Sequence, residues 1–251
     1  FDAFARVMPR LIGNPVHHWS HLELWRHFDL DGVVLGPDTA DHVWDATQER
    51  LRHSDFGAQG LLTRMNVELV GTTDDPLDPL DHHAALEGAP WCVVPTFRPD
   101  PAAKIDAPAF AGWIDRLEAA THPIGGFEDL VGALEARLDH FVGHGCRAAD
   151  HGIDLLDAGA EVARDRLDAI LDAARTGRAV GAEDAASWRA ALFVAMGRAY
   201  AGRGLVMQLH LNALRNTRTR LFDTVGRDAG ADSIRDTALA APLNALLDRL
   251  D

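Results

Sequence analysis

The stretch Leu205–Asn216, which reads LVMQLHLNALRN, carries the pattern that decides the fold. It begins as a short apolar run after Gly202 and Gly204, and it closes with polar residues that include Arg215. Such a run is typical of a buried parallel strand in a βα protein, where ligands bind at the carboxyl ends of the strands. His210 within the run is either a core histidine or a residue of such a site, and the stretch alone leaves both open.

Three further segments repeat this design, and each precedes a predicted helix. They are rich in apolar residues, as expected of strands in a parallel sheet. The segments and the polar residues at their ends are Val67–Thr72 with Thr73, Asp74 and Asp75, Pro90–Phe97 with Arg98 and Asp100, and Cys146–Asp154 with Asp150 and His151. The recurrence predicts that several strand ends build one site, as in a βα barrel, although a complete barrel needs eight strands.

The polar residues at two strand ends have more than one interpretation. Asp74 and Asp75 suit acid–base or metal chemistry, and they are equally suited to capping the helix that follows. Arg98 is placed to bind a substrate carboxylate through two parallel hydrogen bonds. Alternatively, Arg98 forms a salt bridge to Asp100 that fixes the loop. Gly152, near the end of the third segment, is predicted to allow an unusual backbone turn.

Residues 1–66 are predicted to form a helical insertion region, and residues 67–251 a partial βα barrel that belongs to one domain with it. A helix predicted to follow the turn-favouring pair Asn14-Pro15 carries a group of imidazole and indole side chains, namely His17, His18, Trp19 and His21. This spacing lacks the HxH and HExxH patterns of metal sites. It favours a positioning role over metal binding, which stays open.

The composition describes an acidic chain with enough apolar residues for a sizeable core. Of 251 residues, 47% are hydrophobic, and the formal net charge is −14 with an isoelectric point near 5.3. This charge argues against nucleic acid and anionic membrane surfaces as partners. Lys104 is the only lysine of the chain. A site for an anionic substrate therefore has to concentrate its arginines locally.

The two cysteines and the first residue bear on the cellular compartment of the protein and on the extent of the chain. Cys92 and Cys146 lie in apolar segments and are predicted to be reduced and buried, as expected of a cytoplasmic protein. No apolar run is long enough to cross a membrane, and no signal peptide is evident. The chain begins with Phe1 instead of Met, so we expect it to be a piece of a longer protein.

Six motifs, in their order and spacing, closely resemble the uronate isomerases (glucuronate isomerase), a divergent branch of the amidohydrolase superfamily. They are NPVHHWSHLEL, NVELVGTTDDPLD, PTFRPD, HGCRAADHGID, QLHLNALRN and AGADSIRD. The resemblance runs through nearly the whole chain. It implies an α/β fold, a partial (β/α)8 TIM-type barrel of about strands 2–5 with a helical N-terminal insertion. The implied reaction interconverts D-glucuronate and D-fructuronate, and D-galacturonate and D-tagaturonate.

The resemblance also implies roles for individual residues. It implies catalytic roles for His210, Asp75 and His151, and substrate binding by Arg98, Arg215, His18, Trp19 and Asp74. Among these, Arg98 would hold the substrate carboxylate, and His210 would be a hydrogen-bonding or proton-transfer group and not a primary zinc ligand. The chain departs from the family at Asn212, where the family usually has Gly. The Asn212 side chain would either crowd the floor of the site or point away from it.

The resemblance implies zinc or another divalent metal in the full-length protein. Its expected ligands, an HxH pair on the first barrel strand and an aspartate on the last, lie outside this chain, so we expect no secure metal site within it. The expected partner is a small hexuronate, and a homo-oligomer is left open. The alternatives to isomerase activity are a catalytically inactive fragment and a metal-dependent hydrolase of the same superfamily. The chain alone is expected to be inactive.

Overall fold

The computed structural model describes residues 1–153, 156 and 160–250. The chain divides into two compact units, Phe1–Glu68 and Leu69–Asp251. Asp154, the last residue of the third predicted strand segment, lies outside the described residues. Each unit has its own cluster of buried apolar side chains.

The first unit is helical, as the sequence predicts. Its helices are α1 Asp2–Val7, α2 Pro15–Phe28, α3 Ala40–Leu51 and α4 Ala58–Arg64. Helix α2 begins where the Asn-Pro pair predicts, because the Asn14 side chain accepts a hydrogen bond from the Val16 amide at 2.9 Å and Pro15 has no amide to satisfy. The core of this unit is small and consists of Ala5, Met8, Leu24, Leu35, Ala40 and Val43.

The second unit is α/β and contains four parallel strands in sequence order. They are β1 Leu69–Gly71, β2 Cys92–Val94, β3 Ala148–Ile153 and β4 Val206–Leu211, which confirms each predicted strand with shorter bounds. Strand β1 pairs with β2, and β3 pairs with β4. Beyond the end of β2, Phe97 pairs in parallel with both Asp74 and Ala149. The carboxyl ends of the four strands therefore meet at one edge.

Helices cover one face of these strands. The helices of this unit are α5 Asp81–Ala85, α6 Asp100–Ala103, α7 Phe110–Ala120, α8 Phe127–Gly143, α9 Arg164–Arg175, α10 Ala182–Gly202, α11 Thr219–Val225 and α12 Ala240–Asp248. Those that share the buried cluster with the strands are α6 to α10 and α12. In α8 and α10 the apolar residues recur at helical spacing, and Leu134, Trp188 and Met196 are fully buried. On β4, Met207 and Leu209 pack against the same core, so alternate residues of the strand face the helices.

The two cysteines differ in their surroundings. Cys146 is buried, as predicted, whereas Cys92 is exposed, so the prediction that both are buried is wrong. Cys92 pairs in register with Leu69, which is 60% exposed. Side chains paired in register on parallel strands lie on the same face. This face is uncovered at that point within the part of the chain that the structure describes.

After β4 the chain leaves the parallel sheet. Strand β5, Ala213–Leu214, pairs in antiparallel fashion with β6, Ser233–Ile234, and α11 lies between them. We call residues 212–237 the return segment. It follows directly on the carboxyl end of β4, and its side chains are therefore next to the strand ends on which the sequence places a site.

Candidate functional site

A cavity of about 690 Å³ opens at the carboxyl ends of β2, β3 and β4. Its basic lining residues are Arg98, Lys104, Arg215 and Arg227, and its acidic ones are Asp100 and Asp228. His210 lines it as well, together with Gly152 and residues of the return segment. An acidic chain thus concentrates basic side chains around one cavity, which is the property that a site for an anionic ligand needs.

Arg98 is held at the cavity by two carboxylates. Its Nε donates a hydrogen bond to Asp100 Oδ2 at 3.1 Å and lies 3.6 Å from Asp150 Oδ2. Asp100 also accepts a hydrogen bond from the Gly152 amide at 3.1 Å, so it ties the loop after β2 to β3. Burial raises the pKa of Asp100, and Arg98, the Gly152 amide and Lys104 oppose that shift. The predicted salt bridge to Asp100 is present, and Arg98 is still 33% exposed toward the cavity.

Glycine is required at position 152 for a different reason from the predicted one. It lies within β3, and its φ angle is not in the left-handed region. A Cβ at this position would come within 2.8 Å of Arg98 Nη2 and 3.0 Å of Asp100 Oδ2. Gly152 is therefore required for the close approach of these side chains to the strand, and the predicted unusual backbone turn is wrong.

Asp150 on β3 and His210 on β4 form a second polar pair. His210 Nδ1 lies 3.1 Å from Asp150 Oδ1. Asp150 is 4% exposed, whereas the His210 side chain is 59% exposed. Asp150 therefore lies within ion-pair distance of one imidazole nitrogen without forming a hydrogen bond to it, and the ring itself reaches solvent in the cavity.

His151 lies on the opposite face of β3 from Asp150. Its ring is 5.4 Å from that of Phe193 and 5.6 Å from that of Tyr200, and the residue is only 1% exposed. Its nearest ionic partner is Asp100 Oδ1, 3.9 Å from its Nδ1, and neither ring nitrogen has a hydrogen bond among the described residues. Burial, assisted by the charge of Arg98, lowers the pKa of His151 to about 3.

Arg215 and the return segment form another side of the cavity. Arg215 Nη1 lies 2.7 Å from Asp232 Oδ2, and Asp232 Oδ1 accepts a hydrogen bond from the Asn216 amide at 2.9 Å. The Asn216 amide and Arg215 lower the pKa of the Asp232 carboxyl. Arg215 is thus fixed to its own segment and still lines the cavity.

The backbone conformation of Asn212 explains why the family that this chain resembles usually has Gly at this position. Its φ angle is 63°, in the left-handed region that Gly adopts readily and Asn tolerates. Its side-chain oxygen accepts a hydrogen bond from Thr237 Oγ1 at 2.8 Å. The Asn212 side chain is therefore bonded within the return segment and is not among the residues that line the cavity.

Asp74 and Asp75 lie at the end of β1 but do not line the cavity. Asp74 accepts hydrogen bonds from Thr72 Oγ1 at 2.6 Å and from the Thr96 amide at 3.3 Å. Asp75 accepts one from the Leu77 amide at 2.9 Å and one from Trp113 Nε1 at 3.2 Å. These contacts connect β1 with β2 and with helix α7.

Local hydrogen bonds account for His21, one member of the histidine group in the first unit. His18 and Trp19 are exposed on α2. His21 Nδ1 donates to the His17 carbonyl, and His21 Nε2 accepts from the Leu35 amide at 2.9 Å. Both nitrogens of His21 are thus engaged, which favours the positioning interpretation over metal binding for that residue.

Several residues at the site were not among the predicted site residues: Asp100, Lys104 and Arg227 line the cavity, and Asp150 contacts His210, which also lines it. The period of two along a strand provides a signal for one of them, because Asp150 and His151 are neighbours and only one can face the cavity. The fourfold repetition of polar strand ends was a sufficient signal for Arg98 and His210. Lys104 and Arg227 have no motif that identifies them, since they lie in loops whose position depends on the fold.

The ranges that the structure describes contain neither a metal cluster nor a membrane-spanning helix. No group of three or more His, Cys, Asp or Glu side chains there is arranged to hold a metal ion. No helix in the same ranges is both long and apolar enough to span a bilayer.

Comparison with known sequences identifies relatives. A profile described as glucuronate isomerase matches residues 1–251. The chain is 43% identical to a uronate isomerase of Photorhabdus laumondii, over 100% of this chain and 54% of that protein. It is 44% identical to a uronate isomerase of Serratia proteamaculans, over 99% of this chain and 53% of the relative. The chain thus spans about half the length of the curated relatives it matches.

Comparison with solved structures agrees with the sequence relatives. The uronate isomerase of Thermotoga maritima matches with a TM-score of 0.92 and 31% identity, over 100% of this chain and 55% of that one. The glucuronate isomerase of Caulobacter crescentus matches with a TM-score of 0.87 and 25% identity, over 99% of this chain and 52% of the other. Together with the profile that matches all 251 residues, these likenesses show that the chain belongs to the glucuronate isomerase family.

Proposed function

We propose that the protein to which this chain belongs interconverts D-glucuronate and D-fructuronate, and D-galacturonate and D-tagaturonate. The observation that carries this proposal is the cavity at the strand ends, where basic side chains lie beside the Asp150–His210 pair. Basic residues suit the carboxylate of a hexuronate, and the histidine suits proton transfer. Uronate isomerases are the relatives that this chain matches over its full length.

The fold that we propose for the complete protein is a (β/α)8 barrel, to which this chain contributes about strands 2–5. Four parallel strands in sequence order, with helices on one face, support this assignment. In such barrels the site lies at the carboxyl ends of the strands. The cavity described above lies at that end. The free cysteines suit a reducing compartment, and we place the reaction in the cytoplasm.

We assign Arg98 and Arg215 to the substrate carboxylate and hydroxyl oxygens. Each guanidinium is fixed by a carboxylate on one side, and each lines the cavity. A fixed guanidinium loses little freedom when it binds an oxyanion, so its binding energy orients the sugar at a point remote from the reacting carbons. Asp100 positions Arg98 and does not itself contact the substrate in this proposal.

We assign proton transfer between C1 and C2 of the open-chain sugar to His210. The imidazole has one nitrogen against Asp150 and is exposed in the cavity, which suits a group that takes and returns a proton. Asp150 stabilises the protonated imidazole. His151, buried and of low pKa, is assigned to support the strand, and Asp74 and Asp75 to brace the end of β1.

A divalent metal is part of the proposed reaction, because the resemblance implies one. When bound, it would stabilise the negative charge on the carbonyl oxygen. The residues that the structure describes do not provide three ligands for it. The steps assigned here therefore involve only the side chains of this chain.

The test is turnover of glucuronate and galacturonate by the protein expressed from its complete coding sequence. We expect Arg98→Met to lower kcat/KM by about 10²-fold or more, since a buried charge-assisted bond contributes roughly 1.5–3 kcal/mol and its loss also misplaces the sugar. Arg116→Met, an exposed change on α7, serves as the matched control and should behave like the unaltered protein. Unaltered turnover in Arg98→Met would show that Arg98 does not bind the carboxylate.

A further inference from the structure

The four basic residues of the cavity fall into two classes. Arg98 lies 3.1 Å from Asp100, and Arg215 lies 2.7 Å from Asp232. The charges of these two guanidinium groups are therefore largely balanced by their own carboxylates. At short range they still donate hydrogen bonds, but at a distance each pair attracts an anion only weakly.

Lys104 and Arg227 belong to the other class. Neither has a carboxylate within ion-pair distance among the described residues, and both are exposed. Lys104 follows α6, and Arg227 lies in the return segment, so they reach the cavity from two different parts of the chain. Lys104 and Asp100 line the same cavity, and the charge of Lys104 opposes the rise in the Asp100 pKa that burial causes.

The rest of the chain opposes the approach of an anion. Its formal net charge is −14, and Asp228 lies in the cavity lining itself. The net charge of this chain is therefore unfavourable for a sugar acid, and exposed positive charge at the cavity opposes that repulsion. Such charge increases the local concentration and capture rate of an oppositely charged ligand by about 10-fold to 10³-fold, and salt removes the effect.

We propose that Lys104 and Arg227 attract the hexuronate anion into the cavity, and that the balanced residues Arg98 and Arg215 then hold it. This inference rests on the proposed function of the same site. Lys104 and Arg227 thus capture the anion, whereas Arg98 and Arg215 orient the bound sugar. Its signature is a dependence of kcat/KM on ionic strength, because the Debye length shortens from about 30 Å at 0.01 M salt to about 8 Å at 0.15 M.

The experiment measures kcat and kcat/KM for glucuronate across a series of NaCl concentrations, with the protein expressed from its complete coding sequence. We expect kcat/KM of the unaltered protein to fall as salt increases. The double variant Lys104→Met, Arg227→Met should have a kcat/KM about 10-fold lower at low salt and a much flatter salt dependence, with the loss in kcat/KM exceeding that in kcat. The charge-preserving variant Lys104→Arg, Arg227→Lys should restore both properties. An unchanged salt dependence in the methionine variant would overturn the proposal.

A second readout does not require turnover. Lys104 can be acylated with a water-soluble active ester and its modification measured by peptide mass spectrometry. We expect glucuronate to slow the labelling of Lys104 at low salt, and neutral glucose to have no such effect. If the protein did not convert either uronate, the proposed function would be wrong, and equal labelling with both sugars would separately exclude capture by Lys104.

Discussion

His151 is a buried imidazole with no hydrogen bond on either ring nitrogen among the described residues. It packs against the rings of Phe193 and Tyr200, and burial together with the charge of Arg98 holds its pKa at about 3. The protonated form would place a charge in this apolar position beside a guanidinium. The ring is therefore neutral in the folded protein at all pH values where the protein is expected to work.

This low pKa makes stability depend on pH. In the unfolded chain the imidazole titrates near 6.5, so between about pH 6.5 and pH 3 only the unfolded chain binds the proton. The contribution of His151 to the free energy of unfolding is therefore fully present above pH 6.5. It falls by up to about 1.4 kcal/mol for each pH unit between pH 6.5 and pH 3. We expect His151→Phe to reduce the loss of unfolding free energy between pH 7.5 and 5.0 by roughly 1–2 kcal/mol, measured by urea denaturation.

The control for this prediction is His82→Gln, since His82 is exposed on α5. This change should leave the difference between the two pH values as it is in the unaltered protein. If His151→Phe and the unaltered protein lost the same free energy between pH 7.5 and 5.0, the imidazole of His151 would titrate normally and its burial would be relieved in solution.

Asp150 and His151 also show what sequence can predict at the scale of a residue. The position of both at a strand end was predictable, and so was the fact that neighbours on a strand face opposite ways. Which of the two faces the cavity depends on how β3 pairs with β4, where Asp150 lies opposite Gln208 and His151 opposite Leu209. That register is a tertiary property, and either residue chemically suits a site.

At the scale of an element, helix α8 is held at its amino end by a residue of α9. The Phe127 amide, one of the unsatisfied donors of the first turn, donates to Asp168 Oδ1 at 2.7 Å. A Cβ on Gly126 would lie only 2.7 Å from the same oxygen, so the carboxylate occupies the space beside this glycine. The cap comes from 41 residues away in sequence, and no local pattern indicates it.

We expect Asp168→Ala to lower the unfolding free energy by about 1 kcal/mol, the usual cost of losing a helix cap. Asp168→Asn keeps an acceptor oxygen of the same shape and is the matched comparison, with a smaller expected loss. Urea denaturation of the two variants at neutral pH measures both. Equal losses in the two variants would show that negative charge matters and the hydrogen bond does not.

Elements differ in how far the sequence determines them. Helices α8 and α10 were predictable because Leu134 and Trp188 belong to stripes that repeat at the helical period. The strands were found, but β1 and β2 are shorter than their apolar segments. The pairing of β5 with β6 joins two-residue strands that are distant in sequence, with Ala213 opposite Ile234 and Leu214 opposite Ser233, and strands this short have no periodicity to give a signal.

At the scale of the whole molecule, the two units differ in the size of their cores. The buried cluster of the first unit consists of Ala5, Met8, Leu24, Leu35, Ala40 and Val43. The cluster of the second unit is several times larger and includes the fully buried Phe97, Trp188 and Met196. Burial of apolar surface is the main force against the loss of chain entropy, and small domains bury proportionally less of it.

We therefore expect residues 1–68 expressed alone to lack a cooperative thermal transition, because a cluster of six buried side chains, two of them alanine, and the separately buried Phe56 do not offset the entropy of ordering the unit. Residues 69–251 should retain one, since all members of their large buried cluster lie within that range. Circular dichroism against temperature measures both. Met8→Ala and Met196→Ala, made in the 251-residue chain, provide matched changes, and each should cost about 2–5 kcal/mol if its site is well packed. If residues 1–68 alone unfolded cooperatively, their stability would have to come from interactions other than this small core.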